Sequence, residues 1–113
     1  MIHTEKQIEE IALKLLSDID REYLITPPIE IELLQGFKPF VGNPVVEKAW
    51  EVRIPVHDDM LNTVNPAYIL VFINDSNGEI IEYIDGGGGR PIPLYAEKDP
   101  TTGKYILKIQ NRG

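Results

Sequence analysis

Apolar residues recur at two different spacings along this 113-residue chain, and the change of period marks its elements. Ile8, Ile11, Ala12, Leu15, Leu16 and Ile19 fall three or four apart, one face of a 3.6-residue period, so residues 4–21 read as one amphipathic helix. Thr4 with Gln7 three residues on is a capping-box pair, each side chain satisfying a backbone donor that the first turn leaves open. Glu10 and Lys14 have the spacing of a surface ion pair. Pro27-Pro28 stops any helix before residue 27.

From residue 29 the period falls to two. Ile29, Ile31 and Leu33 alternate with Glu30 and Glu32, which predicts a strand over 29–34 with one wet face. Residues 35–44 are punctuated by Gly36, Gly42 and Pro44 and read as a bend or long turn. Residues 45–56 alternate again, with Val46, Trp50, Val52, Ile54 and Val56 on one face and Glu47, Glu51 and Arg53 on the other. Pro55 fits an edge or a bulge near that strand's end better than a central position. Residues 68–73 are apolar without a break, as in a central strand covered on both faces. Asn77-Gly78 predicts a type I′ turn, with both residues at positive φ, leading into a partner strand over 79–84. Residues 92–97 and 104–110 form a last hairpin joined through 99–103.

These elements predict an α+β fold: a single domain over 1–113, with an N-terminal helix packed on a curved antiparallel sheet of five or six strands. Trp50 should lie beneath Ile8, Leu15 and Ile19, and Tyr68, Phe72 and Tyr83 read as further core aromatics. One helix covers only one face of a sheet. The second face is therefore expected to be closed by sheet curvature and the C-terminal hairpin, with an intermolecular surface as the alternative.

Charge narrows the partners. A formal net charge of −7 excludes sequence-independent nucleic-acid binding, which needs a basic footprint, and disfavours an anionic membrane surface. No segment approaches the length of a membrane span. An acidic domain suits a basic protein partner, with a homodimer as another possibility. The absence of cysteine removes disulfides, thiol nucleophiles and Cys-based zinc sites. Residues 1–20 carry charges throughout and hold no apolar signal-peptide core, so a complete chain is expected to be cytoplasmic.

Candidate chemistry is sparse. The glycine run 86–89 before Arg90 has the composition of a phosphate loop, but Pro91 and Pro93 prevent the helix that would supply converging N–H donors. It reads as an adjustable inter-strand connection, with Arg90 available to a carboxylate. His57-Asp58-Asp59 adjoins a histidine to two acids without metal-ligand spacing and reads as an exposed strand end. The serines, Ser17 and Ser76, have no histidine nearby in sequence. Glu51 and Glu82 are the carboxylates most able to meet across strands, and such glutamates are ordinarily just solvated. No catalytic residue, metal ligand or cofactor is expected. Glu30, Glu32, Glu47, Glu51 and Arg90 are the candidate protein contacts.

Ala12 in the early helix, Ala49-Trp50-Glu51-Val52 in a strand, and Asn74-Asp75-Ser76-Asn77-Gly78-Glu79-Ile80 at the end of another follow a recurrent pattern. Over residues 5–84 the chain resembles PepSY-type domains of the cystatin-like class, departing from them in residues 55–67, the glycine run and the final hairpin. Its leading helix, Trp-bearing strand, Gly-containing hairpin and acidity also resemble small bacterial toxin-immunity proteins of cystatin-like or nuclear-transport-factor-like fold. Both resemblances imply binding without chemistry: an inhibitor or immunity-type protein first, then a PepSY-like peptide- or protease-binding domain. A small-ligand carrier or enzyme using the concave sheet face is the third reading. A closed dry core with acids gathered on one rim would favour the first two, and inward polar groups around a pocket the third.

Overall fold

A computed structural model of the chain describes residues 3–26, 28–39, 45–56, 67–86 and 93–109. One helix, α1 (Glu5–Asp18), precedes six strands: β1 (Glu30–Phe37), β2 (Val46–Val56), β3 (Ala67–Asn74), β4 (Ile80–Asp85), β5 (Leu94–Lys98) and β6 (Tyr105–Ile109). The strands form one antiparallel sheet in the order β1-β2-β3-β4-β5-β6, each paired with its neighbours in sequence. The α+β architecture expected from the hydrophobic pattern is the observed one.

The capping box closes as the sequence predicts. Thr4 Oγ1 accepts from Gln7 N–H at 3.2 Å, and Gln7 Oε1 accepts from Thr4 N–H at 2.9 Å. The helix ends at Asp18 rather than at residue 21. Asp20 takes a left-handed φ of 60°, while Asp20 N–H bonds Ser17 O and Arg21 N–H bonds Leu16 O. That is a Schellman ending, with Asp in the position glycine usually fills.

Lys14 pairs at 2.6 Å with Asp18, one turn after it, instead of with the expected Glu10, one turn before it. The reason is tertiary: Asp18 Oδ2 already accepts the N–H of Tyr105 at 3.0 Å, which fixes it in place. Lys14 Nζ also stands 5.3 Å from the centre of the Tyr105 ring. The Lys14 hydrogen bond, and then that from Tyr105, hold the Asp18 carboxyl below its ordinary range. A depressed folded-state pKa stabilises the fold above the unfolded carboxylate's titration, near pH ~4, and that stabilisation disappears as pH falls through the folded value. Asp18→Asn should therefore flatten the acid limb of stability against pH. An acid limb superimposable on that of the parent chain would contradict this role for Asp18.

Ile8, Ala12, Leu15 and Leu16 of α1 are fully buried against Trp50, Val52, Ile54 and Val56 of β2 and Ile69, Val71 and Ile73 of β3. Ile80, Tyr83 and Tyr105 complete this core. Trp50, 3 % exposed, sits in the same cluster, with Ile19 packed against it from the helix end. At 14 residues the helix is about 21 Å long, enough to cross several strand spacings of about 4.8 Å. Its start is tied to the end of β3 through His3 and its end to the start of β6 through Asp18.

Two hairpin loops follow one design. Gly78 N–H bonds Asn74 O at 2.8 Å and Asn74 N–H bonds Glu79 O at 2.8 Å; Gly103 N–H bonds Asp99 O at 2.7 Å and Asp99 N–H bonds Lys104 O at 2.8 Å. In each, the first side chain accepts a backbone N–H two residues on, at Ser76 and at Thr101. Asn77 Oδ1 and Thr102 Oγ1 then accept from Glu79 and Lys104 N–H. Only the glycines, at φ 73° and 74°, occupy the left-handed region in these loops. The predicted type I′ turn is thus a longer loop, because Asn74 and Asn77 use their side chains as local acceptors.

β2 is an interior strand, yet Pro55 is accommodated. The last β1 residue in register is Glu30, opposite Arg53, so β1 has ended before Pro55. There Leu24 N–H bonds the Pro55 carbonyl at 2.8 Å. In an antiparallel strand a residue's N and C=O point the same way, so the missing N–H of Pro55 also faces away from β3.

β1 continues through residues 35–37, where a bend was expected, with Gly36 at φ 82°. Phe37 then stacks on Phe72 with ring centroids 4.3 Å apart. The C-terminal hairpin does not close the second face of the sheet. β5 and β6 extend the sheet beyond β4, and Leu94, Ala96, Tyr105 and Leu107 pack against the helix-side core.

Candidate protein-binding surface

The face of the sheet turned away from α1, called here the open face, is built by alternation. Across β1 to β4 one row of opposed residues reads Glu32, Glu51, Phe72, Glu82, and the next reads Glu30, Arg53, Leu70, Ile84. Burial rises along the first row: Glu32 is exposed, the Glu51 side chain is 16 % exposed, Phe72 6 % and Glu82 2 %. The acidic, accessible part of this face is therefore its β1–β2 end.

An open groove of about 440 Å³ lies there, lined by Glu30, Ile31, Glu32, Glu51 and Arg53. Arg53 bonds Glu51 Oε2 at 2.6 Å and Glu30 Oε2 at 3.1 Å. The bond to Glu51, reinforced by the charges of Glu51, Glu30 and Glu32, raises the pKa of the Arg53 guanidinium. Glu32 stands directly across from Glu51, a like-charge pairing that opposes sheet formation. With three carboxylates and one guanidinium among its lining residues, the groove is net negative.

The structure thus brings together Glu30, Glu32 and Glu51 of the predicted contacts. Glu47 shares their face by alternation and is exposed, but it does not line the groove. Arg90 and His57-Asp58-Asp59 lie outside the described residues, as does the glycine run beyond Gly86. Gly86 itself donates to Tyr68 O at 3.1 Å, so close that an added Cβ would stand 3.0 Å from that oxygen. Glu51 and Glu82 do not meet, because Phe72 stands between them in the register. The aromatic set divides: Trp50 and Tyr83 face the helix, Tyr68 and Phe72 the open face.

Two polar clusters escaped sequence reasoning. Asp75, 2 % exposed, accepts Trp50 Nε1–H at 2.9 Å and His3 N–H at 3.0 Å on Oδ1, and its carbonyl lies 2.7 Å from His3 Nδ1. His3, just before the helix, is anchored by these bonds. At the other end, Arg21 Nε and Nη2 donate to the two oxygens of Asp85 at 2.6 and 3.1 Å, and Tyr83 O–H donates to Asp85 at 3.0 Å. Burial first, then the Asp85 charge, raises the Tyr83 pKa above its ordinary range. Both clusters tie the helix flanks to the sheet and use their hydrogen-bonding capacity structurally. A signal for the first was available in the Trp50 and Asp75 motif positions; nothing local marked Arg21.

No group of His, Asp and Glu is placed to hold a metal ion among the described residues, and no described helix is long and apolar enough to cross a membrane. Comparison with known protein families, characterised proteins and solved structures returns no match for this chain.

Proposed function

We propose that this domain is a non-enzymatic protein-binding module, an inhibitor or immunity-type protein that recruits a basic partner through the β1–β2 end of its open face. One observation carries the reading: Glu30, Glu32 and Glu51 gather around Arg53 in an accessible groove, over a core cluster made of apolar and aromatic side chains. Such a surface steers a cationic partner and disfavours an anionic one. A PepSY-like peptide- or protease-binding domain is the second reading. It is favoured by the 2.9 Å hydrogen bond joining Trp50 to Asp75, two of the motif positions that carry that resemblance.

The test is joint reversal of Glu30, Glu32, Glu47 and Glu51 to lysine. A basic partner captured from native lysate should bind the parent chain with an association rate that falls steeply as salt is raised. Charges beyond about 8–10 Å are screened at physiological ionic strength. The reversed variant should lose that partner. Salt-insensitive association, unaffected by the reversal, would end the electrostatic reading.

A further inference from the structure

We infer that β1 is a docking edge, alongside which an extended segment of the basic partner adds as a seventh strand. This rests on the proposed recruitment by acidic residues and specifies how the partner is held. β1 is a terminal strand of eight residues, and among the described residues no backbone group pairs with its outer edge. Soluble proteins usually blunt such edges with short strands, charged side chains (lysine above all), proline, bulges or a cover, and of these β1 has only the charges of Glu30 and Glu32. The opposite edge follows that practice: β6 has five residues, and its Lys108 is tied to Glu97 at 3.0 Å. β1, Glu-Ile-Glu-Leu-Leu-Gln-Gly-Phe, contains neither lysine nor proline.

The two faces of β1 state what would fit. On the helix side, Ile31 and Leu33 are only partly buried at the rim of the core and would gain cover from apolar side chains. On the open side stand Glu30 and Glu32, both exposed. A strand laid beside β1 places its side chains about 4.5–5.5 Å from those of β1 at each directly opposed position. The fitting occupant therefore alternates cationic with apolar residues. Its cations would also relieve the opposition of Glu32 and Glu51 across β1–β2. A second copy adding antiparallel through β1 would bring more glutamates onto that same face.

The probe is a capped eight-residue peptide alternating lysine and valine, titrated into the isotopically labelled full chain. The expected result is saturable shifts along residues 30–37 and slower exchange of those β1 amides that point away from β2. Binding should weaken about tenfold or more with alternating glutamate and valine, with Glu30→Gln/Glu32→Gln, and with a peptide N-methylated at every second residue. Binding indifferent to N-methylation overturns strand addition while leaving recruitment by the acidic face intact. No saturable binding at millimolar peptide also overturns strand addition. Protection of the β1 amides in a peptide-free dimer would assign the edge to a second copy and overturn the basic partner. Strand addition by the peptide with native-partner binding unchanged by charge reversal would instead overturn the recruitment reading.

Discussion

Trp50→Ala is expected to destabilise the chain by about 3–5 kcal/mol, the range for emptying a large aromatic site that cannot collapse. The site has little freedom to collapse, because Trp50 is packed among fully buried residues of α1, β2 and β3. In a domain of this size the loss should appear as a melting-temperature drop on the order of 10–20 °C. Trp50→Phe separates the two contributions of the indole. It keeps most of the apolar volume while removing the donor that Asp75 accepts, so a smaller loss of about 1–3 kcal/mol is expected. A melting temperature unchanged by Trp50→Ala would be incompatible with helix packing over β2 as described.

Asp75→Ala should be nearly as damaging, by about 2–4 kcal/mol, because it leaves the Trp50 N–H and the His3 N–H without their acceptor in a largely buried setting. Asp75→Asn retains a carbonyl oxygen at the Oδ1 position and should recover part of the loss. The decisive measurement is a double-mutant cycle with Trp50→Phe, using denaturant midpoints. Hydrogen bonds to charged groups contribute roughly 1.5–3 kcal/mol, so the pair should be non-additive by an amount of that order. Strict additivity would mean that the Trp50–Asp75 contact contributes nothing. Helix-start amides should also exchange faster in Asp75→Ala, since His3 anchors the residue before the N-cap.

What was legible in the sequence was whatever depends on neighbours. The capping box at Thr4, the helix stripe from Ile8 to Ile19, and the alternation through β2 are local patterns, and the structure keeps each of them. Pro55 is expected at an edge or a bulge, but β2 is an interior strand with unbroken β2–β3 register there; what spares the proline is that β1 stops before reaching it. The misread features have tertiary causes. Lys14 chose Asp18 because Tyr105, remote in sequence, had already positioned that carboxylate. Asn77-Gly78 has the composition of a two-residue turn, but side-chain acceptors at Asn74 and Asn77 stabilise a longer loop. The last hairpin was expected across the open face because apolar residues there needed cover; an extended sheet and the Phe37–Phe72 stack were not deducible from periodicity. At the candidate surface, alternation placed Glu30 and Glu32 on one wet face and Glu47, Glu51 and Arg53 on another. Only the β1–β2 register shows which of them converge, with Glu47 left outside the groove.

The meander also divides the entropy of assembly unevenly. Each strand finds its partner next in sequence, and the two loops of common design are closed by their own side chains, so these turns require only short closures. The bonds that clasp the helix and its flanks to the sheet join residues 72, 64 and 87 positions apart. Pairing within the sheet therefore joins only strands adjacent in sequence, whereas the helix is seated across most of the chain. His3, Arg21 and Asp18 are the residues through which the helix and its flanks are fixed to distant parts of the chain.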